Sequence, residues 1–133
     1  MAINGYAQYQ QNQLLTASPG KLLLAAYDGA IRFCRIGGEK MRESKLDEQS
    51  ININKAIAIV CELMSTLKEE VDPAFVGRMK TLYSYTLDKL YTANLNQDET
   101  SLNEAIHILT ELRVAWGEAE KQLTQHQLER LAA

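Results

Sequence analysis

The chain has only two prolines in 133 residues, and each stands where a helix begins. Ser18-Pro19 pairs an N-cap residue with proline at the first helical position. Asp72-Pro73 repeats the device. Proline interrupts a helix wherever else it falls, so everything between and after these two points is free to be helical. A weaker break lies near Ser44 to Asp47. Another lies at Asn96-Gln97-Asp98, and Ser101-x-x-Glu104 after it reads as a capping box.

These breaks divide the chain into four helical segments, at about 18–44, 47–70, 73–95 and 98–128. No alternating run of β-branched and aromatic residues appears, and Asn4-Gly5 joins no such runs. Short connections between long helices favour antiparallel neighbours. The expected fold is therefore all-α, an antiparallel up-down four-helix bundle. Residues 18–133 form its single domain, and residues 1–17 form a mobile N-terminal arm that is rich in glutamine and asparagine.

Stepping residues at 100° gives the faces. In the second segment Ile53, Ile57, Val60, Met64 and Leu67 form one stripe. In the third, Phe75, Met79, Leu82, Tyr83, Thr86 and Leu90 do. In the fourth, the stripe is Leu102, Ala105, Ile106, Leu109, Leu112, Trp116 and Leu123. The first segment is different. From Leu22 to Cys34 its apolar residues spread over about 200° of arc, beyond a single core-facing stripe. Such a helix is either central in the bundle or lines a groove. The second segment adds a flank of Ala56, Ile59 and Leu63 beside its stripe. Gly37-Gly38 marks either close helix packing or an early helix end; each glycine costs a helix roughly 1 kcal/mol relative to alanine.

Composition excludes several functions. Apolar residues make up 46%, charged residues 23%, and the net charge is −3. An acidic balance argues against nucleic acid, which needs a basic face. Met1 to Tyr6 has no basic start or apolar run, so no signal peptide is expected. The longest apolar runs fall far below the roughly 18 residues of a membrane span. Cys34 and Cys61 sit in apolar segments and read as two reduced, buried thiols of a cytoplasmic protein.

Catalytic constellations are scarce. There is no Gly-rich phosphate loop, no GxSxG, and no nucleophile paired with a base. Glu104-x-x-His107 matches the ligand spacing of two-metal bundle proteins, but it occurs once. His107 sits about 180°, and Glu104 about 120°, from the centre of the apolar stripe. Both should face solvent. No metal, no cofactor and no enzymatic activity are expected. Among the tyrosines, Tyr83 reads as core, Tyr85 and Tyr91 as half-exposed. Tyr6 and Tyr9 belong to the arm, where, with Leu14, they suit an anchor on an apolar groove.

Tyr9-Gln10-Gln11-Asn12, then Thr16-Ala17-Ser18-Pro19-Gly20-Lys21-Leu22, then Tyr27-Asp28-Gly29 resemble the FliS family of flagellin export chaperones. Asn54-Lys55-Ala56 through Leu63, Tyr83-x-Tyr85 with Leu90 to Asn94, and Thr110-x-Leu112-Arg113 through Trp116 resemble its later helices. The likeness covers about residues 6–117. It departs at Gly37-Gly38, where the family usually continues a helix, at Ala26, where a larger apolar residue is usual, and in the tail Gln122 to Ala133.

The resemblance implies a cytoplasmic chaperone that binds the disordered C-terminal segment of flagellin. Binding would prevent premature polymerisation and keep flagellin competent for the flagellar type III export apparatus. Neither nucleic acid nor membrane is an expected partner, and the chain is expected to be a monomer or weak homodimer. Helical geometry nominates Leu24, Ile31, Ala56, Ile59 and Leu63 as partner-binding residues. The resemblance implies that the arm, with Tyr6, Tyr9 and Leu14, occupies part of the same groove when no client is present. The alternatives are a self-associating helical scaffold and a metal-binding bundle enzyme.

Overall fold

The computed structural model describes residues 18–70 and 72–132, and over them the expected four helices are present. Helix α1 spans Pro19–Arg42, α2 Leu46–Ser65, α3 Pro73–Asn96 and α4 Glu99–Ala132. The Ser18 side chain accepts from the Lys21 backbone N–H, and Asp72 from that of Phe75, so both Ser/Asp-Pro starts work as read.

The third start differs from the expected capping box. Asp98 accepts from the backbone N–H groups of Thr100 and Ser101, and the Ser101 hydroxyl donates to its other oxygen at 2.8 Å. Asp98 is the cap, and Ser101 lies inside the first turn. The hydrogen bonds from Ser101 hold the Asp98 carboxyl below its usual range.

Two tight turns end α1 and α3, each with a non-glycine residue in the left-handed region, Ser44 at φ 59° and Gln97 at φ 50°. In the first, Lys45 N–H returns to Lys40 O and Ser44 N–H to Met41 O; in the second, Asp98 N–H returns to Ala93 O. These bonds satisfy carbonyls that a helix end leaves open. Helix α2 ends at Ser65, earlier than the 70 its periodicity suggests. Ser65 and Thr66 turn their hydroxyls onto the Glu62 and Leu63 carbonyls, each at 2.7 Å, and the chain leaves the helix there.

The helices pack as a four-sided bundle in which α1 touches α2 and α4, and α3 touches α2 and α4. Helix α1 is thus a corner helix. Its wide apolar arc faces α2 on one side and α4 on the other. Gly37 and Gly38 are buried within α1. A Cβ at Gly37 would fall 2.8 Å from Ile53 Cγ1, and one at Gly38 3.2 Å from Leu102. The pair marks close packing against α2 and α4.

The core holds Tyr27, Cys34, Ile53, Val60, Leu90, Leu102 and Leu109, all essentially sealed from solvent. Val76 joins the buried residues although the α3 stripe omits it, while Leu82 and Leu123 of the expected stripes are exposed. Cys34 is buried, but Cys61 is exposed, which corrects the expectation of two buried thiols. Cys61 lies one residue past Val60, on the outward side of α2.

Candidate binding surface

At one end of the bundle three polar aromatic groups meet inside the core. The hydroxyls of Tyr27 and Tyr83 share a hydrogen bond of 2.5 Å across the bundle diagonal, and Trp116 Nε1 donates to Tyr27 Oη at 3.2 Å. This links α1, α3 and α4. Burial pushes both phenols above the ordinary tyrosine range, and the bond to Tyr27 raises Tyr83 further. Phe75 stands edge-on to Trp116, with centroids 6.0 Å apart. An apolar socket of about 290 Å³ opens beside them, lined by Leu23, Leu67, Phe75, Val76 and Trp116.

A larger groove of about 550 Å³ runs between α1 and α4. Ile31, Ile36 and Val114 supply its apolar lining; Asp28, Arg32, Arg35, Glu39 and Arg113 supply charge. Arg113 clamps Asp28 through Nε at 2.9 Å and through a second nitrogen at 3.3 Å, a two-point contact between the helices. Val114 is 65% exposed on this face.

On its other flank α1 meets α2. Ile59 Cδ1 lies where a Cβ on Gly29 would touch it, at 3.5 Å. Phe33 is half-buried there, with the Arg32 guanidinium 5.1 Å and the Lys55 ammonium 5.3 Å from its ring centroid. These cations cover the ring while keeping their charges wet.

The structure divides the nominated partner-binding residues between these two flanks. Ile31 lines the α1–α4 groove, and Leu24, half-buried, precedes it by two turns on the same helix. Ala56, Ile59 and Leu63 belong to the α1–α2 side. Only Leu24 and Ile59 keep appreciable surface; Ala56 is 0% exposed, Leu63 5% and Ile31 7%. Ala56 and Leu63 are spent on the bundle's own core, because α2 turns a broader face to α1 than its stripe implies. Tyr6, Tyr9 and Leu14 lie outside the described residues. Arg35, Ile36 and Val114 were missed by sequence reasoning. Val114 carried a signal: it is a β-branched apolar residue off the α4 stripe.

The buried ionisable groups suit packing and not proton transfer. Burial pushes the Cys34 thiol up to about 12, and the two phenols stay neutral. Glu104 pairs with Lys89 at 2.7 Å, and His107 with Glu111 at 3.2 Å on its own helix. Among the described residues no three His, Cys, Asp or Glu side chains are grouped to hold a metal ion. Among them, too, no helix is long and apolar enough to cross a membrane.

Comparison with known proteins adds a family. Residues 2–123 match the family model of the flagellar protein FliS. The chain is 34% identical over 120 residues to the flagellar secretion chaperone FliS of Bacillus subtilis, covering 90% of this chain and 89% of the relative. It is 31% identical over 119 residues to the Campylobacter jejuni protein of the same name, covering 90% and 93%. A solved structure described as a flagellar chaperone from bacteria superposes with a TM-score of 0.73 at 19% identity, over 92% of this chain and 99% of that one. The bundle order, the Ser18-Pro19 start and these likenesses agree: the chain belongs to the FliS family of flagellar secretion chaperones.

Proposed function

We propose that this protein acts in the cytoplasm as an export chaperone for flagellin, binding the disordered C-terminal segment of that client and delivering it to the flagellar type III export apparatus. The observation that carries the reading is the groove between α1 and α4, with Ile31, Ile36 and Val114 along its floor and charge on its rim. The Leu24 edge and the Phe33–Ile59 flank extend the apolar surface around α1.

The physical scheme is recognition of an amphipathic segment in a groove, coupled to its folding. A client tail apolar enough to self-assemble is ordered on the bundle. Ordering costs a few kcal/mol and is offset by apolar burial along an extended contact. No bond is made or broken. The bundle works as a monomer or weak homodimer in this scheme, and it keeps the client's apolar surface covered until delivery.

Calorimetric titration of the full chain with a flagellin C-terminal peptide tests the proposal. Val114→Asp places a charge in the groove at an exposed position, so binding should weaken at least tenfold while the helical circular dichroism is unchanged. Ile59→Asp should also weaken binding if the client wraps both flanks of α1. Unaltered affinity in Val114→Asp rejects the groove as the client site.

A further inference from the structure

The groove between α1 and α4 carries a charge pattern that its own side chains leave unanswered. The chain is net acidic at −3, yet the groove gathers Arg32, Arg35 and Arg113 against only Asp28 and Glu39. Three of the six arginines in the sequence line it, and none of the eight lysines does. A guanidinium offers a carboxylate a flat two-point fork, which an ammonium does not. The groove already shows that contact once, where Arg113 holds Asp28 through two nitrogens.

Arg32 and Arg35 have no such contact. Among the described residues neither guanidinium forms an ion pair, whereas Arg42 pairs with Glu99 and Arg113 with Asp28. Asp28, one turn before Arg32, is taken by Arg113. Glu39 lies one turn after Arg35, and a base placed before an acid is the weaker order for such a pair. Arg32 and Arg35 are both exposed and stand three positions apart, about 60° round the helix. Like charges on one edge of a helix repel, and an anion between them removes the repulsion. Arg32 is also ordered on this rim by the Phe33 ring, 5.1 Å from its guanidinium.

The floor beside this edge is apolar, made by Ile31, Ile36 and Val114. A bare anion gains nothing from that floor. An uncharged apolar segment covers the floor but leaves the two guanidinium groups without an anion. A segment with an apolar stripe and a carboxylate beside it satisfies both.

We propose that Arg32 and Arg35 form the selective edge of the groove, taking a carboxylate of the amphipathic segment that lies on Ile31, Ile36 and Val114. This rests on the client reading of the groove and adds the chemistry by which the segment is chosen. Apolar burial holds the segment; the carboxylate fixes its register, and a segment with a cation at that point is repelled. The carboxylate is an Asp or Glu side chain or the α-carboxylate that ends the segment.

Calorimetric titration of the full chain with the flagellin C-terminal peptide, at low and high salt, tests the edge. Arg32→Gln with Arg35→Gln should weaken binding about tenfold at low salt and flatten its salt dependence, because exposed charges are screened as salt rises. The circular dichroism should not change, since both side chains are exposed. Two altered peptides locate the carboxylate: one with Asp and Glu replaced by Asn and Gln, the other ending in an amide. One of them should bind the native chain as weakly as the native peptide binds the double variant, and should lose nothing further on that variant. The proposal is overturned if neither peptide loses affinity. Native affinity in the double arginine variant, with binding lost in Val114→Asp, overturns the edge and keeps the groove as the client site. Native affinity in both variants rejects the edge and the groove together. Weakened binding in the arginine variant alone puts the carboxylate contact outside the groove and also overturns the proposal.

Discussion

At the scale of single residues, Tyr27 is the polar centre of the core. Its hydroxyl partners both Tyr83 and Trp116. Tyr27→Phe therefore leaves two polar groups without a partner, whereas Tyr83→Phe leaves Tyr27 still held by Trp116. A buried donor or acceptor left unpaired costs about 1–3 kcal/mol, and a typical hydrogen bond contributes about 0.5–1.5 kcal/mol. Urea unfolding should rank Tyr27→Phe below Tyr83→Phe, and both below the native protein. The reverse order would show that the network is not centred on Tyr27. The sequence placed Tyr83 in the core correctly from its stripe. It did not show the hydrogen bond to Tyr27, which joins side chains 56 positions apart.

At the scale of elements, the two kinds of glycine behave oppositely. Gly37 is buried against Ile53, and a Cβ there meets a β-branched side chain near its root. Gly77 is exposed within α3, with nothing within 4 Å of an added Cβ. Gly77→Ala should stabilise by about 0.5–1 kcal/mol through helix propensity alone. Gly37→Ala gains a similar amount, but overpacking costs about 1–3 kcal/mol, so the net effect is a loss. Thermal melts should move by a few degrees in opposite directions. If Gly37→Ala raises the melting temperature, the close approach of α1 and α2 is looser than described. The helix ends show why element boundaries were only partly legible. Ser18-Pro19 and Asp72-Pro73 announce themselves by residue type. The left-handed residues Ser44 and Gln97 are not glycine, so the commonest C-terminal signal is missing, and only the polar clusters around them marked the turns.

At the scale of the whole molecule, the core's neutral acids make stability depend on alkaline pH. Cys34 is pushed up to about 12, and Tyr27 and Tyr83 are raised by burial. In the unfolded chain a thiol ionises near 8.5 and a phenol near 10. The unfolded state thus loses protons first. The stability these groups contribute is fully present below about pH 8.5 and is lost as pH rises towards and beyond 12. Urea midpoints should fall steadily above about pH 9, while absorbance at 295 nm shows two of the six tyrosines ionising only as the helical signal disappears. Midpoints that stay level to pH 11, or all six phenols titrating in the folded protein, would contradict the buried network.

Helix number, order and the two proline starts follow from local chemistry, since a cap, a ring or an apolar period acts within one turn. The family was legible for a related reason: the Tyr9 to Gly29 block is a short run of residues read in order. The surfaces were not. Whether Ala56 lies in the core or Ile59 at its edge depends on how α2 is rotated against α1, which approaches it closely where Gly37 faces Ile53. Likewise, one groove was expected beside α1, but α1 stands at a corner and has two flanks, so Ile31 and Ile59 are parted. Periodicity gives the direction of a side chain about its own axis; only the packed bundle decides what stands opposite it.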